Sequence, residues 1–165
     1  PPPSQSHTTC NSETYLQEVV EFFAAPHAAD PEYYHEMELS PQNTMYISAI
    51  QNPYLNGSDL GHKLVDCGAS GIEHTVSVNA NESTWTVIAT IPWELLNTPW
   101  PSDSPAPSQA GPVSTVWRLN LYRIVMHQAV ESCDPTTCSY GAWSPTGAVP
   151  PAFHIPGQFG VGVLE

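Results

Sequence analysis

Apolar and polar residues alternate with a period of two through most of the chain, as expected for strands with one buried face. Eight segments combine this alternation with aromatic and β-branched residues: 18–23, 32–39, 44–50, 72–79, 84–91, 114–127, 139–143 and 159–164. No segment carries a helical stripe longer than two turns, and no internal repeat is found. The pattern predicts an all-β fold, an antiparallel β-sandwich of the immunoglobulin or jelly-roll kind.

Turn-forming residues join these segments into two predicted hairpins. Ser40-Pro41-Gln42-Asn43 separates the second segment from the third, and Ala80-Asn81-Glu82-Ser83 separates the fourth from the fifth. Pro presets a turn dihedral, and Asn and Ser bond to nearby backbone, so both tetrapeptides favour reversal of the chain.

The remaining stretches are predicted as loops around a single domain. We expect a loop over 52–70, one helical turn over 92–96 with Pro92 at its first position, and a Pro-rich surface loop over 98–112. The first 14 residues read as an exposed N-terminal arm, and 15–165 as one β-sandwich domain.

Alternation within the second segment assigns its side chains to two faces. One face carries Tyr34, Glu36 and Glu38, and the other carries Tyr33, His35, Met37 and Leu39. A carboxylate in or beside the core needs a cation or hydrogen bonds. The chain's two arginines both lie in the long segment 114–127, so we expect a buried, architectural ion pair between Glu38 and Arg123.

The charge balance restricts the class of partner. Three basic residues stand against 16 acidic ones, a formal net charge of -13. Such a surface repels phosphate, which argues against nucleic acids and anionic membranes, whereas neutral ligands and divalent cations remain compatible. No stretch approaches the roughly 18 apolar residues of a membrane span, and no signal peptide is recognised. If the protein is secreted, we therefore expect this to be a mature or trimmed chain.

Cysteine usage also indicates an extracellular protein. Four cysteines allow three pairings. Cys133 and Cys138 enclose a short loop that a local disulfide can close, and by elimination Cys10 pairs with Cys67. A zinc site is the competing interpretation, but no CxxC or closely spaced Cys/His pair supports it.

Composition agrees with secretion. Charged residues make up only 12% and prolines number 18, a balance typical of extracellular, fungal-type proteins. Asn56-Gly57-Ser58 and Asn81-Glu82-Ser83 are candidate glycosylation sites.

Catalytic motifs are not recognised. The sequence has no GxSxG, no HExxH and no Gly-rich phosphate loop, and therefore does not indicate an enzyme. Carboxylate pairs and seven histidines keep a small glycan-active or redox enzyme open as an alternative. For the histidines, surface or core roles compete with a transition-metal site.

The five tryptophans are the best candidates for ligand contact. Trp85 and Trp117 lie in strand patterns and are expected in the core, and Trp93 at a packed corner. Trp100 and Trp143 are flanked by Pro and Ser, which predicts exposure. Exposed aromatic faces stack on the C–H faces of sugar rings.

Several blocks, in this order, resemble the family 9 carbohydrate-binding module-like domains, which have a DOMON-related β-sandwich. The blocks are Glu18–Phe23, Tyr34–Pro41, Ile91–Trp93, Trp117–Arg123, Ala142–Pro145, Phe153–Pro156 and Phe159–Gly160, within residues 13–165. The resemblance implies a secreted, non-catalytic domain that binds an oligo- or polysaccharide and carries structural calcium.

The resemblance also implies site residues. Family members that bind sugar clamp it between two aromatic rings, with a carboxylate and an arginine among the surrounding polar groups. Glu21 matches the carboxylate, Trp143 is one candidate ring and Trp100 the other. Asn120 and Arg123 match polar positions of the long strand, where a structural role stays open.

The chain departs from the family at its start. Family domains have several strands before the block at Glu18–Phe23, where this chain has only its arm. The domain is then either reduced, or completed by a removed segment or a companion chain, because open strand edges invite pairing. A structural or interaction domain without sugar affinity is therefore the alternative function.

Overall fold

The computed structural model of the protein describes residues 6–26, 29–97 and 114–163. Its strands are β1 Val19–Ala25, β2 Tyr33–Leu39, β3 Met45–Gln51, β4 Gly61–Leu64, β5 Glu73–Asn79, β6 Thr84–Thr90, β7 Val116–Met126, β8 Cys138–Ala142 and β9 Gly160–Val163. One short helix, α1 (Trp93–Leu96), and two 3-10 turns, Thr14–Leu16 and Pro156–Gln158, complete the described elements.

Seven strands form one antiparallel main sheet in the order β4-β3-β2-β1-β7-β8, with β9 also paired to β7. Strands β5 and β6 form a second, two-stranded sheet. The all-β antiparallel sandwich is thereby confirmed, as are the predicted hairpins β2–β3 and β5–β6.

The main sheet has two different faces, which we name by what distinguishes them. The hairpin face bears Phe22, Met37 and Ile47, and these pack with α1 and with apolar residues of β6 such as Val87. The acidic face bears Glu21, Glu36 and Glu38, flanked by an aromatic cluster of Phe23, Tyr34, Tyr122 and Phe159. Because strand side chains alternate, neighbouring residues of β1 and β2 belong to different faces.

Two local predictions need correction. The segment 52–70 is not all loop, since β4 at Gly61–Leu64 pairs with β3. Its side chains are mostly exposed, so backbone pairing at a sheet edge formed it without an apolar pattern. Pro92 is the N-cap of α1 rather than its first residue, because it keeps an extended backbone.

The described part of the N-terminal segment is tied to the main sheet. Cys10 is bonded to Cys67, and Cys133 to Cys138, so both predicted disulfides are confirmed. The Asn11 side chain donates to the Val65 carbonyl at 2.7 Å and accepts from the Ile47 N–H at 2.9 Å.

Within residues 6–26, 29–97 and 114–163, no helix has the length and apolar character needed to cross a membrane.

Candidate functional site

An exposed indole stands at the edge of the hairpin face. Trp143 is 57% exposed, and its backbone N–H donates to the Leu121 carbonyl at 2.8 Å, which places the residue beside β7. Leu121 is 50% exposed and also lines an apolar cavity of about 560 Å³ between the main sheet and β5–β6. We call Trp143, Leu121 and Gly160 the aromatic platform.

The platform is flat because β9 lacks side chains on this face. A Cβ at Gly160 would collide with the six-membered ring of Trp143, lying 2.6 Å from Cη2. A Cβ at Gly162 would similarly lie 2.7 Å from Cδ2 of Leu119. Glycine is the residue that permits such close approach to a strand backbone, so the six-membered ring of the indole lies against β9 while the side chain stays exposed.

Asn120 positions the chain that carries the indole. It is fully buried, and its amide donates to the Ser144 carbonyl at 2.8 Å and accepts from the Ser144 N–H at 2.9 Å. These two bonds fix the residue that follows Trp143. Because the side chain of Asn120 lies on the acidic face, it does not form part of the platform surface. It positions the platform through its two bonds to Ser144.

Arg123 lies on the same face as the platform, two positions beyond Leu121 along β7 and therefore about 7 Å away. Its guanidinium is 3.2 Å from Oε1 of Glu18 and 4.9 Å from the centroid of Trp85. The Trp85 indole donates to the same Glu18 oxygen at 2.7 Å.

The predicted ion pair between Glu38 and Arg123 is therefore wrong. Arg123 lies opposite Val20 on β1, while Glu38 lies opposite Glu21, so the two side chains are on different faces of the sheet. The sequence could not reveal this, because the register between β1 and its neighbours is set by tertiary pairing.

The acidic face gathers three carboxyl groups. Glu21 on β1 lies directly opposite Glu38 on β2, and Glu36 is two residues away on the same face. One oxygen from each of the three lies within 4.8 Å of the others, and each residue is buried. Thr14 donates to Oε2 of Glu38 at 2.6 Å.

Burial makes ionisation of this cluster costly. Burial, then the charge of Glu38 and Glu36, raises the pKa of Glu21 well above its ordinary value. Burial and contact with Glu38 do the same for Glu36, and burial raises the pKa of Glu38 to about 8. Without a cation, the cluster holds protons at neutral pH.

A cavity of about 380 Å³ opens onto this cluster, and we call it the acidic cavity. Its lining includes Glu21, Glu36, Tyr46, His62, Phe153 and His154. Nε2 of His154 is 3.5 Å from Oε1 of Glu36, and Nδ1 is 2.8 Å from the Tyr34 hydroxyl. Burial and the neighbouring His62 lower the pKa of His154 to about 4, so its imidazole is neutral at physiological pH.

The structure separates the residues assigned to one sugar site. Trp143 and Arg123 share the hairpin face, whereas Glu21 and Asn120 lie on the acidic face. Trp100 lies outside the described residues. Trp85 and Trp117 are buried and Trp93 packs against Trp117, as predicted.

Asn56 and Asn81 are both exposed, and their glycosylation stays a prediction.

Sequence reasoning did not find the acidic cavity as a unit. The alternation in β2 placed Glu36 and Glu38 on one face, and Glu21 was singled out separately. The available sequence signal for this cavity was the presence of inward-facing carboxylates on two adjacent strands. His62 and His154 carried no local signal, because they reach the cavity from β4 and from the segment before β9.

Comparisons with known proteins agree with an extracellular sandwich. No family model matches the chain. A protein of Arthroderma benhamiae named "Extracellular protein" is 31% identical over 154 residues, covering 90% of this chain and 61% of the relative. The chain thus spans about three fifths of that relative's length.

A solved structure shares the fold. It is the crystal structure of a "putative carbohydrate-binding protein" from Bacteroides uniformis, with a TM-score of 0.67 and 17% sequence identity. The match covers 98% of this chain and 67% of that one. At this identity the likeness establishes the fold, and membership of the family 9 module-like domains stays a prediction.

Proposed function

We propose that this protein is an extracellular, non-catalytic domain that binds a neutral saccharide on the aromatic platform. The observation that carries the proposal is the exposed Trp143 side chain, whose ring is held against Gly160 of β9. A fixed indole loses little conformational freedom on stacking against a sugar ring, because its position is already set.

Polar groups beside the platform suit hydroxyl recognition. The side chain of Arg123 is 39% exposed while Glu18 holds its guanidinium in place. Its remaining N–H groups can donate to sugar hydroxyls. The net charge of -13 disfavours acidic glycans, so a neutral saccharide fits best.

The comparisons support the same proposal. The Bacteroides uniformis neighbour shares the fold and has carbohydrate binding in its name, and the Arthroderma benhamiae relative is named for an extracellular location. Two disulfides fit an oxidising compartment.

The test is a screen of neutral oligosaccharides, with calcium and with chelator, followed by calorimetric titration of any ligand found. Trp143→Ala should weaken binding about thirtyfold or more, the roughly 2 kcal/mol of an aromatic hot spot. The matched control is Tyr54→Ala, which removes another exposed aromatic residue, 63% exposed, from the loop after β3. The absence of any binding, or equal weakening by both variants, would overturn the proposal.

One observation favours the alternative of an interaction domain. Val78 pairs with the buried Trp85 and so faces the main sheet, yet it is 46% exposed. The end of β5–β6 therefore leaves apolar surface that a companion chain could cover. Native mass spectrometry of secreted protein would detect such a chain, and a glycan-negative screen with a stoichiometric companion would favour this function.

A further inference from the structure

We propose that Glu21, Glu36 and Glu38 bind a divalent cation at the floor of the acidic cavity. The site is on the opposite face from the aromatic platform, and the inference is independent of saccharide binding.

Strand register brings the three carboxylates to one point. Glu21 and Glu38 are direct partners of β1 and β2, and Glu36 is on the same face one pleat further along. Their nearest oxygens all lie within 4.8 Å of one another. Oxygen ligands held at about 2.0–2.6 Å from one cation are separated by up to about 5 Å, so one ion can reach all three.

Two carboxylate oxygens of the cluster lack a hydrogen-bond partner. In the described residues, Oε1 of Glu21 and Oε1 of Glu38 are buried without a hydrogen-bond partner. Glu21 is 3% exposed and lines the acidic cavity. Its unpartnered oxygen Oε1 therefore belongs to a side chain at the floor of that cavity. An unmatched buried carboxylate is costly, and a metal ion is one of the few partners that can satisfy it.

Every basic side chain of the chain is engaged or placed elsewhere. Arg118 is paired with Asp30 at 2.6 Å, and Arg123 with Glu18 at 3.2 Å. Lys63 lies opposite Ala49 on β4, which puts it on the hairpin face. These are the only three lysines and arginines in the sequence, so no lysine or arginine supplies a positive charge to the acidic cavity.

The donor set indicates the class of ion. Three carboxylates are hard oxygen ligands that suit Mn²⁺, Mg²⁺ or Ca²⁺. His154 lies beside Glu36, with its Nε2 3.5 Å from Oε1 of that carboxylate. From this position the imidazole can orient the carboxylate of Glu36 towards the ion.

The test uses the full disulfide-bonded chain, stripped of metal by a chelator and titrated with Mn²⁺ at about pH 7.5, where binding of the ion displaces the carboxyl protons into solvent. Electron paramagnetic resonance counts the free ion. One saturable site is expected, with Ca²⁺ or Mg²⁺ competing for it.

Glu21→Gln and Glu38→Gln keep the shape of each side chain and should each weaken Mn²⁺ at least about tenfold. Glu73→Gln removes the same charge from an exposed position on β5 and should leave the affinity unchanged.

Circular dichroism verifies that each variant is folded. Two results would overturn the inference: the lack of a saturable site up to about 1 mM, the weak end for extracellular cation sites, or equal weakening by Glu73→Gln and Glu21→Gln.

Discussion

Glu18 and Glu21 lie three residues apart at the start of β1, yet they experience opposite surroundings. Glu18 is on the hairpin face, where Arg123 and the Trp85 indole both contact its Oε1. Glu21 is on the acidic face, where its strand neighbour is Glu38 and one of its oxygens has no partner in the described residues.

The difference shows how a single sheet can stabilise one carboxylate and leave another unmatched. The two residues have the same chemistry and are both nearly fully buried. Two residues separated by an odd number of positions along a strand point to opposite faces of the sheet. The face then determines which side chains each residue can contact. The hairpin face therefore contains a completed ion pair, and the acidic face a cluster that needs protons or a cation. Three experiments test this contrast.

The largest effect is expected from Glu18→Ala on the hairpin face. The change removes the acceptor for the buried Trp85 N–H and the partner of Arg123. We expect the free energy of unfolding to fall by about 2–3 kcal/mol, the usual cost of leaving a buried donor and a charge unmatched. Urea unfolding followed by tryptophan fluorescence measures it.

Glu18→Gln is the matched variant, because its amide oxygen still accepts a hydrogen bond from the Trp85 indole. Its free energy of unfolding should fall by only about half as much as that of Glu18→Ala. An unchanged stability in Glu18→Ala would show that the ion pair does not stabilise this face.

The next largest effect is a pH dependence from the acidic face in metal-free protein. Burial raises the pKa of Glu38 to about 8, while the unfolded carboxyl titrates near 4.5. The folded state thus binds more protons, so the free energy of unfolding falls as pH rises and levels off above about 8.

Two buried histidines limit the pH range in which the contribution of Glu38 can be measured separately. Burial lowers the pKa of His35 and His154 from 6.5 to about 4, so they lower stability only below about pH 6.5. Between pH 6.5 and 8 we expect a loss of about 1–2 kcal/mol for Glu38. Urea unfolding in chelator measures the slope, and Glu38→Gln should flatten it. A stability that rises across this window would contradict the expected protonation of the cluster.

The smallest effect is expected from Glu21→Gln in chelator. Replacing the carboxylate removes one like charge and provides an amide N–H beside the unpartnered oxygen of Glu38. We expect stabilisation of about 1 kcal/mol at pH 8, measured as a higher midpoint of thermal unfolding.

With saturating Mn²⁺, the parent chain should instead have the higher midpoint of thermal unfolding. Binding of the ion stabilises the parent chain more than the Glu21→Gln variant, which has lost one ligand. A lower midpoint for Glu21→Gln in chelator would indicate that the three carboxylates are already matched.

Local pattern predicted the strands well because most of them have one face against a core. The hairpins β2–β3 and β5–β6 followed from alternation and from the turn residues between them. β4 was not predicted, because its exposed Gly-His-Lys-Leu sequence has no alternating apolar pattern. Only backbone pairing with β3 makes it a strand. The exposure of Trp143 and the burial of Trp85 followed from their flanking residues.

The candidate sites were only partly predictable. Trp143 and Arg123 do share a face, but the support under the indole comes from Gly160, about 17 residues further along the chain and on another strand. The alternation grouped Glu36 with Glu38, whereas their approach to Glu21 depends on the pairing of β1 with β2.

The sequence by itself determined the all-β antiparallel fold, the two disulfides and the face on which each side chain of β2 lies. These properties depend on periodicity, turn chemistry and cysteine number, which are local or countable. Tertiary structure alone decided that Arg123 pairs with Glu18 and that three glutamates converge without a lysine or arginine partner. The reason is register: a shift of one residue between paired strands moves every side chain to the other face, and the sequence of one strand does not contain that information.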